Sequence, residues 1–211
     1  MYFFSGRPKY KQLSSTLKKD IRLHFGTIDS IETEAKTFLF SLGNDELLTN
    51  DCESAVSETL GYMDDNKLIF RSTNADYLPL RLKGILAISH RISGALDDVD
   101  IMKIHLGSKK VTYLTLDNFD NSPLPRIVKR TVVDLRLNSV FTASYDEKKQ
   151  VRLFYLKSKL MKATDKNYSN QAHFDARIKE ETGFSFDGEG PKFEDFAKKL
   201  IELKITPPSY S

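Results

Sequence analysis

Three side chains in one short stretch carry the chemistry most readily read from this sequence: Lys103, His105 and Lys110. They sit in VDIMKIHL (99–106) and KKVTYLTL (109–116), two alternating segments separated by Gly107-Ser108. A two-residue Gly-x loop fits a type II′ hairpin turn. That turn sets a register. Ile104 faces Val111 and Met102 faces Tyr113 on one side of the ribbon. Lys103 faces Thr112 and His105 faces Lys110 on the other, with Ile101–Leu114 and Val99–Leu116 continuing toward the base. One side is then apolar throughout; the other is apolar at the base and basic at the tip. Two lysines beside an imidazole suit phosphate contact, with His105 as an acid or base. The same residues also describe an exposed strand tip whose charges discourage edge pairing, and the sequence alone favours that plainer reading.

A second constellation is Asp100, Asp117, Asp120 and Lys103. Carboxylates with a lysine can hold Mg²⁺ in a nuclease-like site. The E-x-K or D-x-K element of such sites is missing, because Asp100 and Lys103 are three apart and point to opposite faces. Asp117 and Asp120 read more simply as turn and cap residues. Were the chain an enzyme, His105 with Asp117 or Asp120 would be its catalytic group; no catalytic residue is otherwise assigned. The sequence holds no G-x-x-x-x-G-K-[ST] phosphate loop and no G-x-S-x-G elbow. His24, His90, His105 and His173 are scattered, without H-E-x-x-H or C-x-x-C, so neither a metal nor a cofactor is expected. Gly188-Glu189-Gly190 precedes a helix outside any βαβ unit and reads as a loop closing onto Pro191.

The elements that must position these residues read as α+β. Leu13, Leu17, Ile21 and Phe25 recur every fourth residue, with Ser14 or Ser15 as cap and Gly26 as stop. Asp29 and Glu32 look like a capping box before Ile31, Ala35, Phe38, Leu39 and Leu42, with Gly43 as the stop. A third helix after Asn44 carries Leu48, Cys52, Ala55, Val56 and Leu60 and ends at Gly61. KLIFR (67–71) reads as a short strand, and Leu78 to Leu96 as a helix buried on more than one side. After the 99–116 hairpin, Ser122 and Pro123 open a short helix. TVVDLRL (131–137) is a strand, and SVFTASY and QVRLFYL form a second hairpin around residues 146–149. Helices follow at about 169–182, stopped by Gly183, and after Pro191, ended by Pro207-Pro208. The whole is a helical N-terminal region (1–62) and an α+β region (63–211) with a mostly antiparallel sheet of four or five strands covered by C-terminal helices.

Composition narrows the classes. The 211 residues are 40% hydrophobic, with 14 Phe and 9 Tyr, enough to fill the core of one domain or one domain with a helical annex. Single Cys52 leaves no internal disulfide framework; on its helix it falls on the buried stripe, as a small hydrophobe rather than a nucleophile. That usage fits the cytoplasm. No apolar run approaches the roughly 18 residues of a membrane span, and the apolar start is too short for a signal peptide. Thirty-two Lys+Arg against 29 Asp+Glu leave a net charge of +3, which names no partner. The charges are blocked, however. Residues 7–22 are basic, 29–65 acidic, and 148–162 basic again with no acid. Such blocks form solvated faces or meet an anionic partner. The candidate nucleic-acid contacts are thus Lys103, His105, Lys110, Lys148, Lys149 and Arg152.

Four segments, in order, resemble a known family. KIHLGSKKVTYLTLDNFDNSPLP (103–125) is similar to a VKLH…KVSYL…DFD-x-DPHP segment in the C-terminal half of proteins assigned as methyltransferases and associated with DNA phosphorothioation. GRPKYKQLSSTLKKDIRLHFG (6–26), TEAKTFLFSLGNDE (33–46) and DYLPLRLKGIL (76–86) resemble segments upstream of it. The matching motif positions are Lys103, His105, Lys110, Tyr113, Phe119 and Asp120; the histidine of the DPHP-like segment is Leu124 here. Those longer proteins carry a methyltransferase domain with a Gly-rich cofactor segment, and nothing in this chain resembles it. The resemblance implies a setting in bacterial DNA modification and phage defence rather than a reaction. The expected function is an accessory DNA-binding domain, not an enzyme by itself. Two alternatives stand beside it: a protein-interaction module that docks a separate methyltransferase or defence subunit through its acidic helical segment, and a metal-assisted nuclease-like enzyme. No membrane partner is expected.

Overall fold

The alternation at 99–116 builds the centre of the sheet. A computed structural model describes residues 10–145, 151–188 and 190–210. In it β3 (Ile101–His105) and β4 (Lys110–Asp117) pair antiparallel, with Ile101 opposite Leu114, Met102 opposite Tyr113, Lys103 opposite Thr112, Ile104 opposite Val111 and His105 opposite Lys110. The expected register is the observed one. The turn differs: four residues, 106–109, join the strands, and the left-handed backbone is at Lys109 (φ 53°) rather than at Gly107. A type II′ turn requires positive φ at its first central residue, so Gly107-Ser108 is not one. The register survives because the longer loop is centred on the same two residues. The Val99–Leu116 pair does not form; the Leu116 N–H donates to the Asp100 carboxylate at 2.7 Å instead.

Around this hairpin lies a six-stranded antiparallel sheet in simple chain order. β1 (Gly61–Asp64) and β2 (Lys67–Arg71) precede it; β5 (Arg126–Asp134) and β6 (Ser139–Ser144) follow. Three expectations are corrected here. No helix starts at Pro123, since β4 captures the chain from Arg126 onward. The strand placed at 131–137 ends at Asp134, whose carboxylate accepts the N–H groups of Arg136 and Leu137, both at 3.0 Å, and so turns the chain. β6 pairs with β5, not with QVRLFYL. Residues 151–156 make one isolated bridge, Leu153 to Arg126, and lie alongside the sheet rather than in it.

The helices follow their stripes. α1 (Ser15–Phe25) is capped by Ser14, whose hydroxyl accepts the Leu17 N–H, and Gly26 follows it at φ 73°. α2 (Ile28–Ser41) is capped by Thr27, which accepts the Ser30 N–H at 3.1 Å. Asp29 and Glu32 therefore lie inside the helix and do not form the expected capping box. α3 (Asp45–Ser57) buries Leu48, Cys52 and Ala55. Gly61 does not stop it but opens β1, where a Cβ would stand 2.4 Å from the Ile69 carbonyl oxygen. α4 (Leu80–Ser93) buries Leu82, Ile85, Leu86 and Ser89. α5 (Tyr168–Glu181) and α6 (Phe193–Glu202) close the chain. None of these helices is long and apolar enough to cross a membrane.

Two compact units result, one up to Asn44 and one from Asp45 onward, so α3 belongs with the sheet rather than with α1 and α2. In the larger unit one sheet face buries Leu68, Phe70, Met102, Ile104, Val111, Tyr113 and Val133, and the Tyr113 hydroxyl donates to Ser89 of α4 at 2.8 Å. The other face packs Ile69, Ile101, Leu114 and Leu116 against Phe119 and Phe154. A separate core joins Phe174 and Ile178 of α5 to Phe196 and Leu200 of α6 through Leu153 and Tyr155. Successive residues of 153–155 thus serve two cores. Lys157, expected on a solvated face, is 1% exposed. Its ammonium donates to the Ser122 carbonyl at 2.9 Å and to the Phe119 carbonyl, and it lies over the Phe119 and Tyr210 rings.

Candidate nucleic-acid interface

The register brings cations from three strands to one place. β2 sets Lys67 opposite His105 and Ile69 opposite Lys103. β5 sets Arg130 opposite Leu114, one position along from Thr112 on the same face. Lys67, Lys103, His105 and Arg130 therefore share the face whose base is apolar and whose tip is basic. Residues 152–155 stand over this face, with Phe186 and Gly188 beyond them. Between sheet and wall lies a cleft of about 160 Å³. Its lining adds Arg152, Tyr62, Tyr145, Tyr155 and Phe186 to the strand residues. Lys67, Lys103, His105, Arg130 and Arg152 are all half-buried, so their charges are recessed rather than projecting.

Among the described lining residues the cations are Lys67, Lys103, Arg130 and Arg152, and Asp64 binds the Lys67 ammonium at 2.7 Å. Burial pushes the His105 pKa down to about 4, and Lys103, Lys67, Arg130 and Lys110 push the same way. The ring is therefore neutral at pH 7. Its Nε2 lies 3.0 Å from the Thr112 hydroxyl. A neutral imidazole so depressed offers a donor and an acceptor but is a poor proton carrier near neutrality.

The expected site residues divide. Lys103, His105 and Arg152 meet in the cleft. Lys110 lies opposite His105 but reaches Asp134, 3.3 Å away, outside the cleft lining. Lys148 and Lys149 lie outside the described residues. The three acids of the nuclease-like reading are each committed elsewhere. Asp100 accepts the Leu116 N–H, Asp117 pairs with Arg126, and Asp120 meets Arg71 at 3.1 Å. Nor do Asp117 and His105 come together. Asp117 is seven residues along β4 from Lys110, the partner of His105, a run of about 23 Å at the strand rise. Among the described residues no group of three or more His, Cys, Asp and Glu is arranged to hold a metal ion.

The cleft also contains residues that the sequence reading passed over. Lys67 was legible as a polar position of a short strand, but its neighbour His105 is 38 positions away. Arg130 lay where a helix was expected to give way to a strand. Cys52 is fully buried, and burial raises its thiol pKa to about 12, as suits a structural residue. Fold and cleft define an α+β domain built on an antiparallel sheet with a recessed cationic site. Compared with known protein families, curated proteins and solved structures, the chain matches none.

Proposed function

We propose that the chain is a non-catalytic DNA-binding accessory domain of a DNA phosphorothioation-linked modification or phage-defence system, acting in the cytoplasm. One observation carries the binding half of this reading: Lys67, Lys103, Arg130 and Arg152, from distant parts of the sequence, line one cleft. Phosphate oxygens are the ligand chemistry that arginine forks and lysine point charges serve best. The setting rests on the ordered resemblance of roughly residues 6–160 to the phosphorothioation-associated proteins. Retention on DNA resin tests the binding. The expected result is elution that moves to lower salt once the cleft cations are replaced, since each phosphate contact releases counterions. No retention at low salt would overturn it. The setting is tested separately, by comparing DNA with and without a phosphorothioate link; equal affinity would remove the mark from the account.

A second reading, docking of a separate methyltransferase or defence subunit, draws on β6. This last strand of the sheet exposes Val140 (44%) and Phe141 (63%), and its six residues carry no charge to discourage pairing. Co-purification with neighbouring gene products, lost on Phe141→Lys, would favour it over DNA.

A further inference from the structure

The two edges of the sheet are treated differently. β1, at one edge, is only four residues long and carries Asp64. It lies against α3 and against the turn at Lys157–Leu160, whose Lys159 ammonium sits 4.8 Å from the centre of the Tyr62 ring. Shortness, charge and cover are the usual protections of an edge strand. β6, at the other edge, has none of them. Its sequence SVFTAS holds no charge and no proline, and five of its six residues are exposed. Among the described residues only β5 pairs with it.

The open groups belong to the backbone, and they fix what can occupy them. The Tyr145 N–H donates to the Val128 carbonyl at 2.8 Å, and Ser144 stands opposite Lys129. Antiparallel ladders alternate bonded and non-bonded pairs. Counting back from Tyr145, the residues Ala143, Phe141 and Ser139 bond inward to β5. Ser144, Thr142 and Val140 therefore turn their N–H and C=O groups outward. The 3.1 Å approach of the Thr142 and Thr131 hydroxyls fits this alternation, since side chains of a non-bonded pair lie closer. The complement of such a row is another extended strand. A second β6 supplies it without conflict. With a two-fold axis at Phe141, Val140 of each copy exchanges bonds with Thr142 of the other, and Ser139 meets Ala143. Every facing pair is uncharged, so no like-charge contact opposes the pairing. Phe141, 63% exposed in one chain, meets its own copy across the axis. Leu137, 74% exposed in the β5–β6 turn, comes beside Tyr145 of the second copy.

We infer that two copies of this chain join through their β6 strands, antiparallel, into one continuous sheet. Phe141 shares a sheet face with Lys103, through Val132 and Thr112. An axis normal to the sheet therefore sets both clefts on the same side. The contact is small against the roughly 800 Å² per partner of a stable complex, so the dimer is weak and depends on concentration. The inference does not rest on the DNA reading, and it gives β6 a different occupant from the docking reading.

The test is sedimentation velocity of the full chain over a wide range of concentration. The expected result is a monomer that becomes a dimer as concentration rises. Thr142→Pro removes an outward N–H and leaves the bonds to β5 intact, and should weaken dimerisation about tenfold or more. Phe141→Cys should oxidise to a linked dimer, because a non-bonded pair brings its Cα atoms to about 4.5 Å, within disulfide reach. Ser144→Cys, displaced along the strand from its own copy, should not. A monomer at every concentration would overturn the inference, and so would a dimer that Thr142→Pro leaves unchanged or that Ser144→Cys links as readily. A monomeric chain that holds a different protein along β6 would also overturn it and leave the docking reading standing. Should Thr142→Pro unfold the protein, Phe141→Lys sets like charges across the axis and should abolish the dimer.

Discussion

His105 Nε2 lies 3.0 Å from the Thr112 hydroxyl, a diagonal contact, because the ladder sets His105 opposite Lys110 and Thr112 opposite Lys103. The contact turns the ring inward, under the cleft, among four cationic neighbours. Burial and those neighbours hold its pKa at about 4, against about 6.5 for a free histidine. Above pH 6.5 the ring is neutral whether folded or unfolded, and it contributes no pH dependence. Between pH 6.5 and 4 the unfolded chain takes up a proton that the native site refuses, so stability falls as pH falls. The expected loss is of order 2 kcal/mol by pH 5. Denaturation midpoints at pH 7.5 and 5 measure it, and His105→Gln should flatten the difference. An NMR titration of His105 centred near 6.5 would contradict this account.

Gly61 is fixed by a close approach rather than by a turn. A Cβ there would stand 2.4 Å from the Ile69 carbonyl oxygen and 2.9 Å from the Phe70 Cβ. Both are strand atoms held by β3, so neither can move aside cheaply. Gly61→Ala is expected to cost about 1–3 kcal/mol, read as a lower denaturant midpoint at unchanged slope. An unchanged midpoint would mean that β1 does not lie this close to β2.

Lys157 holds the turn that follows β4. Its ammonium bonds the carbonyls of Phe119 and Ser122 from a position that is 1% exposed. Lys157→Met fills a similar volume but leaves those carbonyls without a donor. The expected cost is about 2–3 kcal/mol in global stability. A neutral result would show that water replaces the ammonium.

Cys52 should be silent in the folded protein. It is fully buried on α3, and burial beside Asp51 and Glu53 raises its pKa to about 12. A disulfide reagent at pH 8 should modify it only at the rate of unfolding and at once in denaturant. Rapid reaction of the native protein would place Cys52 at a surface.

Much of the fold was legible wherever a local pattern and its partner were close in sequence. The β3–β4 register followed from alternation on both arms, and it held although the turn was of a different kind. α1, α4, α5 and α6 followed from their stripes. The failures share a cause. QVRLFYL alternates like a strand, but the alternation sends Phe154 to the sheet core and Leu153 and Tyr155 to the core under α5 and α6. Periodicity cannot distinguish a strand from a segment wedged between two cores. β1 was hidden because Gly61 follows a helix and reads as its stop. The site was half legible. Lys103, His105 and Arg152 were read as contacts, but Lys67 and Arg130 joined them only through pairings across β2–β3 and β4–β5. Lys157 shows the opposite error, a basic residue assigned to a surface that folding encloses.

The central proposal is that the domain binds DNA, and that the position of its charges rather than their number governs that binding. The most direct measurement compares two variants with the same net charge. One is Lys103→Met with Arg152→Met in the cleft. The other is Lys192→Met with Lys198→Met, both exposed and outside it. Anisotropy against a labelled DNA duplex at one low salt concentration should show at least a tenfold loss of affinity for the first and at most about a twofold loss for the second. Equal losses, or no loss from the cleft pair, would contradict the account.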